Sequence, residues 1–195
     1  MRKIEPALVD FIDKKLAANG LAAHAIEVKD ARTVFRLAAE SCVGIKETGG
    51  NNKGPLVELM QKTVDGSVDR EPWCLCFIES MLAYAELKTG VISPVASSEH
   101  CLTVWRETSL RQRVVTVPAP GAIIIWRHGG SDSGHTGMVT AFLHDANRMH
   151  AVEGNTEAGI DPSGGVVRDG GGVYATLRGA KGTGSMKVLG FLKPF

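Results

Sequence analysis

The sequence predicts an α+β domain in which N-terminal helices pack on an antiparallel β-sheet. Segments with apolar residues at helical spacing fill the first half of the 195-residue chain. Short segments rich in β-branched residues, separated by glycine, proline, aspartate and asparagine, fill the second half. Helices that precede the strands, rather than alternate with them, are typical of α+β folds. The hydrophobic fraction of 44% is enough for one sizeable core.

Five helices are predicted from apolar residues that recur at helical spacing. Gly20 is the expected end of the first, and the glycine-rich stretch GGNNKG, residues 49–54, separates the second from the third. Pro72 is expected to open the fourth helix, because proline has no N–H to leave unsatisfied at a first helical position. The predicted helices cover residues 6–20, 29–44, 55–64, 72–88 and 97–109.

Five strands are predicted in the second half, where β-branched residues lie between turn-forming residues. The glycine-rich segment 154–184 is expected to be a long, partly mobile loop that contains one of them. The predicted strands are PAPGAIIIWRH, HTGMVTAF, RMHAVEGN, VYATLRG and MKVLGFL. We expect residues 1–28 to be an N-terminal helical extension and residues 29–195 to be the main domain.

Overall charge gives no argument for a nucleic-acid or membrane partner, because the net charge is only +1. No apolar run reaches the roughly 18 residues of a membrane-spanning helix. The first residues, MRKIEPALVDFIDKK, are interrupted by charges every few positions and lack the apolar centre of a signal peptide. We therefore expect synthesis in a cytoplasm without an export signal.

The four cysteines are unevenly spaced and include no CxxC pair, which favours free thiols over a zinc site or a disulfide framework. Cys74 and Cys76 lie about 200° apart around a helix, so they are not expected to share a metal or bond to each other. The side of the helix below Cys74 is apolar. The side below Cys76 is more polar, with Glu79, Ser80 and Glu86.

Cys74 is a candidate nucleophile because it falls in the first turn of its helix. A thiol there feels the positive end of the helix dipole, which favours the thiolate. Free backbone N–H groups nearby are able to stabilise an oxyanion. On this helix alone, however, an ordinary packing cysteine is the favoured interpretation. Cys42, Cys76 and Cys101 are interpreted as packing residues.

His135 is the candidate base for such a thiol, since it begins a strand between Gly134 and Gly137. The other five histidines are assigned no special role. Glu153 and Asn155, on the next strand, are two residues apart and so share one face. An amide or a carboxylate on a neighbouring strand, about 5 Å away, is able to hold an imidazole.

The length of the hairpin loop decides whether these groups meet. An odd loop places Asn155 opposite His135 and Glu153 opposite Gly137. An even loop, with Leu143 paired to Arg148 throughout, places both polar residues on the wrong face.

The motifs EPWC, SGHTGMV and VEGNT, in that order, resemble those of the CHAP family, the cysteine, histidine-dependent amidohydrolases and peptidases. KETGGNNKGP and PAPGAIIIW resemble further segments of that family, and the resemblance covers about residues 31–193. It implies a papain-like α+β fold and hydrolysis of amide bonds in peptidoglycan, without a metal or organic cofactor. By the same resemblance, Cys74 is the nucleophile, His135 is the general base, and Glu153 and Asn155 orient the imidazole.

Four further residues are expected to contact the substrate: Glu47, Asn51, Asn52 and Trp73. The alternative for the GGNN loop is a simple turn. Some CHAP members bind calcium near the nucleophile, but DGSVDRE lacks a regular calcium-loop spacing, and we interpret Asp65, Asp69 and Glu71 as a solvated acidic turn. Gly121-Ala122 also departs from the Gly-Asp that members often have.

The resemblance implies a muramoyl-alanine amidase or a stem-peptide endopeptidase. A chain without a second wall-binding domain suits a phage endolysin released through a holin, or a monomeric effector that degrades the wall of a rival bacterium and is countered by an immunity protein. Two alternatives stay open: a cysteine amidase or deamidase with a substrate outside the wall, and a non-catalytic wall-binding module.

Overall fold

The computed structural model describes residues 1–114, 117–157 and 170–195. Within these ranges the chain forms six α-helices and one antiparallel sheet of seven strands, which confirms the predicted α+β class. The helices are α1 Pro6–Leu16, α2 Gly20–Glu27, α3 Ala31–Ser41, α4 Pro55–Asp65, α5 Cys74–Thr89 and α6 Cys101–Glu107. The strands are β1 Arg113–Val114, β2 Ile123–His128, β3 Gly134–Leu143, β4 Arg148–Thr156, β5 Gly172–Gly179, β6 Gly182–Thr183 and β7 Met186–Leu192.

The order of strands across the sheet is β1-β7-β2-β3-β4-β5, and β6 pairs with β7. The five predicted strands correspond to β2, β3, β4, β5 and β7. The two-residue strands β1 and β6 were not expected. The predicted loop at 154–184 contains two strands, β5 and β6, where one was expected, while residues 158–169 lie outside the described residues.

Helix α2 corrects the prediction that Gly20 ends the first helix. Gly20 instead begins α2, and the side chain of Asn19 caps it by accepting a hydrogen bond from the backbone N–H of Ala22 at 3.1 Å. The helix buries only the small side chains of Ala22 and Ala25. Such small residues give a weak apolar period, which is why the sequence pattern did not show this helix.

Helix α5 is buried along most of its length, and this includes the more polar side below Cys76. Glu79, Ser80 and Glu86 are each at most 1% exposed. The guanidinium of Arg2 pairs with both Glu79 and Glu86, and the backbone N–H of Arg2 donates to Glu86 at 2.7 Å. Buried carboxylates need such partners, so the polar residues here face a buried cation rather than solvent.

Residues 1–28 pack into the same core as the rest of the chain. Leu8 and Ile12 of α1 are fully buried in the apolar cluster that surrounds α5. Helix α1 contacts α3 and α4, and α2 contacts α3 and α5. The segment predicted as an extension therefore covers part of the core that supports α5.

The sheet has an apolar layer on each face. Ile123 and Ile125 belong to the cluster around the helices, while Ile124 and Trp126 belong to a second cluster on the opposite face. This alternation follows from the two-residue period of a strand. Helix α5 lies directly against β4 at Gly154, where an added Cβ would come 2.7 Å from Cβ of Phe77.

Candidate active site

Cys74 is the first residue of α5, and Trp73 is its N-cap. Pro72 therefore precedes the cap and is not the first helical residue, which corrects the predicted start by two positions. The expectation that Cys74 lies in the first turn is confirmed. Its side chain is 5% exposed and lines a cleft of about 370 Å³.

Two neighbours hold the pKa of Cys74 well below its ordinary value of 9.0. The thiol of Cys101 lowers this pKa most. Burial opposes it by raising the pKa, and the interaction with His135 lowers the pKa further. The Sγ atoms of Cys74 and Cys101 are 3.9 Å apart. These interactions outweigh the loss of solvation that disfavours a buried thiolate. Cys74 is thus set apart from Cys42 and Cys76, whose pKa values burial raises.

His135 is fully buried and its Nε2 atom lies 3.0 Å from Oε2 of Glu153. Burial alone would lower the pKa of His135, but Cys74 and Glu153 outweigh that effect and raise it from 6.5 to about 9. The other ring nitrogen, Nδ1, has no hydrogen bond among the described residues. The ring of Trp126 packs on the imidazole with centroids 5.5 Å apart. The imidazole is therefore held from Nε2, which leaves Nδ1 available.

Glu153 is held in turn by two residues of β5. Arg178 donates from Nε to Oε1 at 2.8 Å and from Nη2 to Oε2 at 2.9 Å, and the hydroxyl of Thr176 also donates to Oε1. Burial favours the neutral acid, but His135 and Arg178 outweigh it and lower the pKa of Glu153 to about 2. The carboxylate is therefore ionised beside a charged imidazole.

Thr176 and Arg178 were missed from the sequence. They stand two residues apart in VYATLRG, so they share one face of β5, and both are 2% exposed. Polar residues at that spacing in a strand were a signal that could have been used. An arginine so deeply buried requires a charged partner, and Glu153 is that partner.

A β-bulge brings Glu153 to the correct face. The loop between β3 and β4 is even, residues 144–147, with Leu143 paired to Arg148, so the expected odd loop is wrong. The register then shifts between Val139 and Ala141, and beyond the shift Met138 pairs with Val152. The one extra residue of β3 places Glu153 on the same face of the sheet as an odd loop would have done.

Gly137 makes room for the carboxylate, as the predicted pairing requires. A Cβ at this position would come 2.6 Å from Cγ of Glu153. Glycine is therefore needed beside Glu153, and the strand that carries His135 approaches β4 closely at this point.

Comparison with known families gives one match within the chain. Residues 66–155 match the family model of the CHAP domain. This part of the chain is therefore similar to CHAP domains, as the motifs predict. CHAP domains are typically hydrolases of amide bonds and often act on peptidoglycan. No curated protein and no solved structure matches the chain.

The match includes the four residues to which the sequence assigned chemistry, Cys74, His135, Glu153 and Asn155. A helix that begins at the cysteine and packs on an antiparallel sheet carrying the histidine agrees with a papain-like CHAP fold. The match spans slightly less than half of the chain and is shorter than the range 31–193 suggested by the motifs. Arg178 and Thr176 lie beyond it.

Asn155 is in the CHAP match but forms no hydrogen bond with His135. Its backbone is left-handed, with φ of 54°, and both atoms of its buried amide lack a hydrogen-bond partner among the described residues. The observed pairs of β3 with β4 end at Met138 and Val152, so the predicted pairing of Asn155 opposite His135 is not observed. Its role in orienting the imidazole stays a prediction.

Two of the residues expected to contact the substrate are buried. Trp73 is fully buried and its indole N–H donates to Glu47 at 2.8 Å, so the ring has no surface to offer a substrate. Asn52 is 5% exposed, and its amide donates to the carbonyl of Arg70 at 3.0 Å. Both residues hold the segment that leads into α5. Contacts by Glu47 and Asn51 stay predictions.

Acidic residues lie at the outer side of the cleft. Carboxylate oxygens of Asp65, Asp69 and Glu99 lie within 4.8 Å of one another, whereas Glu71, which the sequence grouped with the first two, is not in this cluster. Burial, followed by the neighbouring carboxylates, raises the pKa of Glu99. Calcium takes about six to eight oxygen ligands, so these three side chains would supply only part of a calcium site.

Asp65 and Asp69 are exposed and share the hydroxyl of Ser67 as a hydrogen-bond donor. This arrangement agrees with the acidic turn expected from the sequence, to which the fold adds Glu99. Among the described residues, no helix has the length and apolar character needed to cross a membrane.

Proposed function

We propose that the chain is a peptidoglycan hydrolase in which Cys74 is the nucleophile that cleaves an amide bond. The observation that supports this most strongly is the buried series Cys74, His135, Glu153 and Arg178, which begins at a helix start facing a cleft and ends at a fixed cation. A nucleophile, a base and a group that orients the base are the parts that covalent amide hydrolysis requires.

The reaction begins with Cys74 as thiolate and His135 as imidazolium. The thiolate attacks the amide carbonyl, and backbone N–H groups at the start of α5 stabilise the oxyanion, because the first N–H groups of a helix have no partner within it. His135 then donates its proton to the leaving amine, the C–N bond breaks, and the acyl group remains on Cys74 as a thioester. The same imidazole activates a water molecule that releases the acyl group.

Glu153 has a fixed position throughout these steps. Its bond to Nε2 directs Nδ1 of His135 toward the thiol, and its charge stabilises the imidazolium. Arg178 keeps Glu153 ionised. The proposed scheme therefore needs no proton transfer to the carboxylate.

The proposed substrate is the stem peptide of peptidoglycan or its amide link to muramic acid. The chain would act as an endolysin released by a phage, or as an effector delivered to a rival cell. The resemblance and the CHAP match support the wall as substrate, and the geometry of the thiol supports the amide as the bond.

Digestion of purified cell wall tests the proposal. The wild-type chain should release muropeptides whose masses identify the new ends, and Cys74→Ala should release none. Release by both chains would show that Cys74 is not the nucleophile, and binding to the wall without release by either chain would point to a non-catalytic wall-binding module. No release, together with rapid alkylation of Cys74, would point to an amidase or deamidase that acts outside the wall.

A further inference from the structure

Cys101 is a thiol at the candidate active site that the proposed reaction does not use. It is the first residue of α6, is 6% exposed and is a free cysteine. Its Sγ atom lies 3.9 Å from Sγ of Cys74, and both residues line the same cleft. This contact is not visible in the sequence, because 27 positions separate the two residues.

The fold brings the two thiols together through a glycine of β3. A Cβ at Gly134 would come 3.1 Å from Cβ of Cys101 and 2.6 Å from the carbonyl oxygen of Trp126. Glycine at this position lets the start of α6 approach the sheet beside His135. The two helices that begin at Cys74 and Cys101 therefore meet at their first residues.

The two thiols differ in charge. The pKa of Cys74 is lowered, chiefly by Cys101, whereas Cys74 and burial raise the pKa of Cys101 well above its ordinary value. A thiolate beside a neutral thiol is the pair that stepwise oxidation to a disulfide requires, because the thiolate reacts first and the thiol follows.

We infer that Cys74 and Cys101 form a reversible intramolecular disulfide when the chain meets a hydroperoxide. The thiolate of Cys74 attacks one peroxide oxygen and the O–O bond breaks. With hydrogen peroxide, this gives a sulfenic acid on Cys74 and hydroxide. The thiol of Cys101 then attacks the sulfenic sulfur, the S–O bond breaks, and water leaves. The two sulfurs lose two electrons in all, which the peroxide accepts.

The disulfide has a clear chemical consequence. A sulfenic acid with no nearby thiol is oxidised further to a sulfinic acid, which ordinary thiols do not reduce. A bond between the two sulfurs requires them to approach to about 2.05 Å, a movement of about 2 Å at the start of two helices. Cys101 would thus preserve the nucleophile in a form that a dithiol reductant restores.

Intact-mass measurement of the purified full chain tests this inference without a wall substrate. Wild type treated with hydrogen peroxide should lose about 2 Da, and a non-reducing peptide map should link the peptides of Cys74 and Cys101. Dithiothreitol should then restore most of the alkylation of Cys74 by iodoacetamide. Cys101→Ser should instead gain about 16 or 32 Da on Cys74 and recover little alkylation after peroxide in excess.

Cys76→Ser is the matched control, since Cys76 lines the same cleft. It should lose about 2 Da, as wild type does. The inference is overturned if wild type gains oxygen without a Cys74–Cys101 link, if the link joins two chains, or if Cys101→Ser still forms a reversible disulfide at Cys74. The wild-type map keeps the test valid even if a variant misfolds. Failure of this test would leave the proposed hydrolysis untouched, because the readout is the thiol chemistry alone.

Discussion

Nε2 of His135 lies 3.0 Å from Oε2 of Glu153, and neither side chain has any exposed surface. The pair engages Nε2 of the imidazole and leaves Nδ1 without a hydrogen-bond partner among the described residues. It also places a carboxylate beside the charge that the imidazole carries when Cys74 is a thiolate. Position and charge are therefore set by a single buried contact.

The rate of wall hydrolysis should depend on pH in a bell shape with an alkaline limb near pH 9. The pKa of His135 is raised from 6.5 to about 9, so the imidazolium that protonates the leaving amine is present below pH 9 and is lost above it. The acid limb should follow protonation of the Cys74 thiolate, whose pKa is lowered from 9.0. Initial rates across the pH range measure both limbs.

Glu153→Gln supplies the control for this profile. Loss of the carboxylate should move the alkaline limb down toward pH 6.5, because Glu153 is one of the two groups that raise the pKa of His135. A wild-type alkaline limb near pH 6.5, or an unchanged limb in the variant, would contradict the role of the pair.

Glu153→Gln and Arg178→Met should each destabilise the fold by about 3–5 kcal/mol, because each leaves a buried charge without one of its partners. The stability lost by the double variant should be about 1–3 kcal/mol smaller than the sum of the losses in the two single variants. Denaturant unfolding of the four chains measures this coupling. Strictly additive losses would show that the two side chains act independently.

The same carboxylate should affect stability in acid. The pKa of Glu153 is about 2 in the fold against an ordinary value of 4.5. A lowered pKa contributes stability that is fully present above pH 4.5 and is lost as the pH falls toward 2. The contribution is about 3 kcal/mol. Wild type should therefore lose more stability than Glu153→Gln over this interval, and equal losses would contradict the assignment.

The sequence was informative about the site where local periodicity decided the outcome. The helical period placed Cys74 in a first turn, and the strand period put Glu153 and Asn155 on one face of their strand. The resemblance to CHAP domains named the same residues. Contacts that depend on distant parts of the chain were not visible. Arg178 reaches Glu153 from a strand beyond the expected motifs, and Cys101 reaches Cys74 from the start of another helix.

The hairpin shows how Glu153 can lie on the expected face of the sheet although the expected loop length is wrong. The loop after Leu143 is even, and only the extra residue between Val139 and Ala141 restores the expected face. A bulge leaves little mark in the pattern of apolar residues, because one strand shifts by one residue within an otherwise regular pair. The pairing of the buried carboxylates of α5 was likewise not visible in the sequence, since the cation that pairs with Glu79 and Glu86 lies at Arg2.

Arg2→Met should destabilise the fold by about 3–5 kcal/mol, because it leaves two buried carboxylates without their cation. Replacing both Glu79 and Glu86 with glutamine in the same chain should restore much of that loss. Lys3→Met is the control, and it should change stability by at most about 0.5 kcal/mol, as is usual at an exposed position. Thermal and denaturant unfolding measure all three. An Arg2→Met chain as stable as wild type would show that the N-terminal segment is an accessory, as the sequence suggested.

Gly154→Ala should move α5 away from the sheet and reduce the reactivity of Cys74. The added Cβ would come 2.7 Å from Cβ of Phe77, and neither β-carbon is able to rotate away. Such overpacking costs about 1–3 kcal/mol. Because Phe77 is one turn from Cys74, a shift of α5 should also lengthen the approach of the thiol to His135 and slow alkylation by iodoacetamide at neutral pH.

Gly130→Ala is the matched control for Gly154→Ala, since nothing lies within 4 Å of the Cβ that it adds. It should leave stability and alkylation close to wild type. Peptide-level mass spectrometry of Cys74 after timed alkylation, alongside denaturant unfolding, gives both readouts. If Gly154→Ala matched Gly130→Ala in both, the close contact of α5 with β4 would not be what positions the thiol, and Cys101 and His135 would have to hold it in place by themselves.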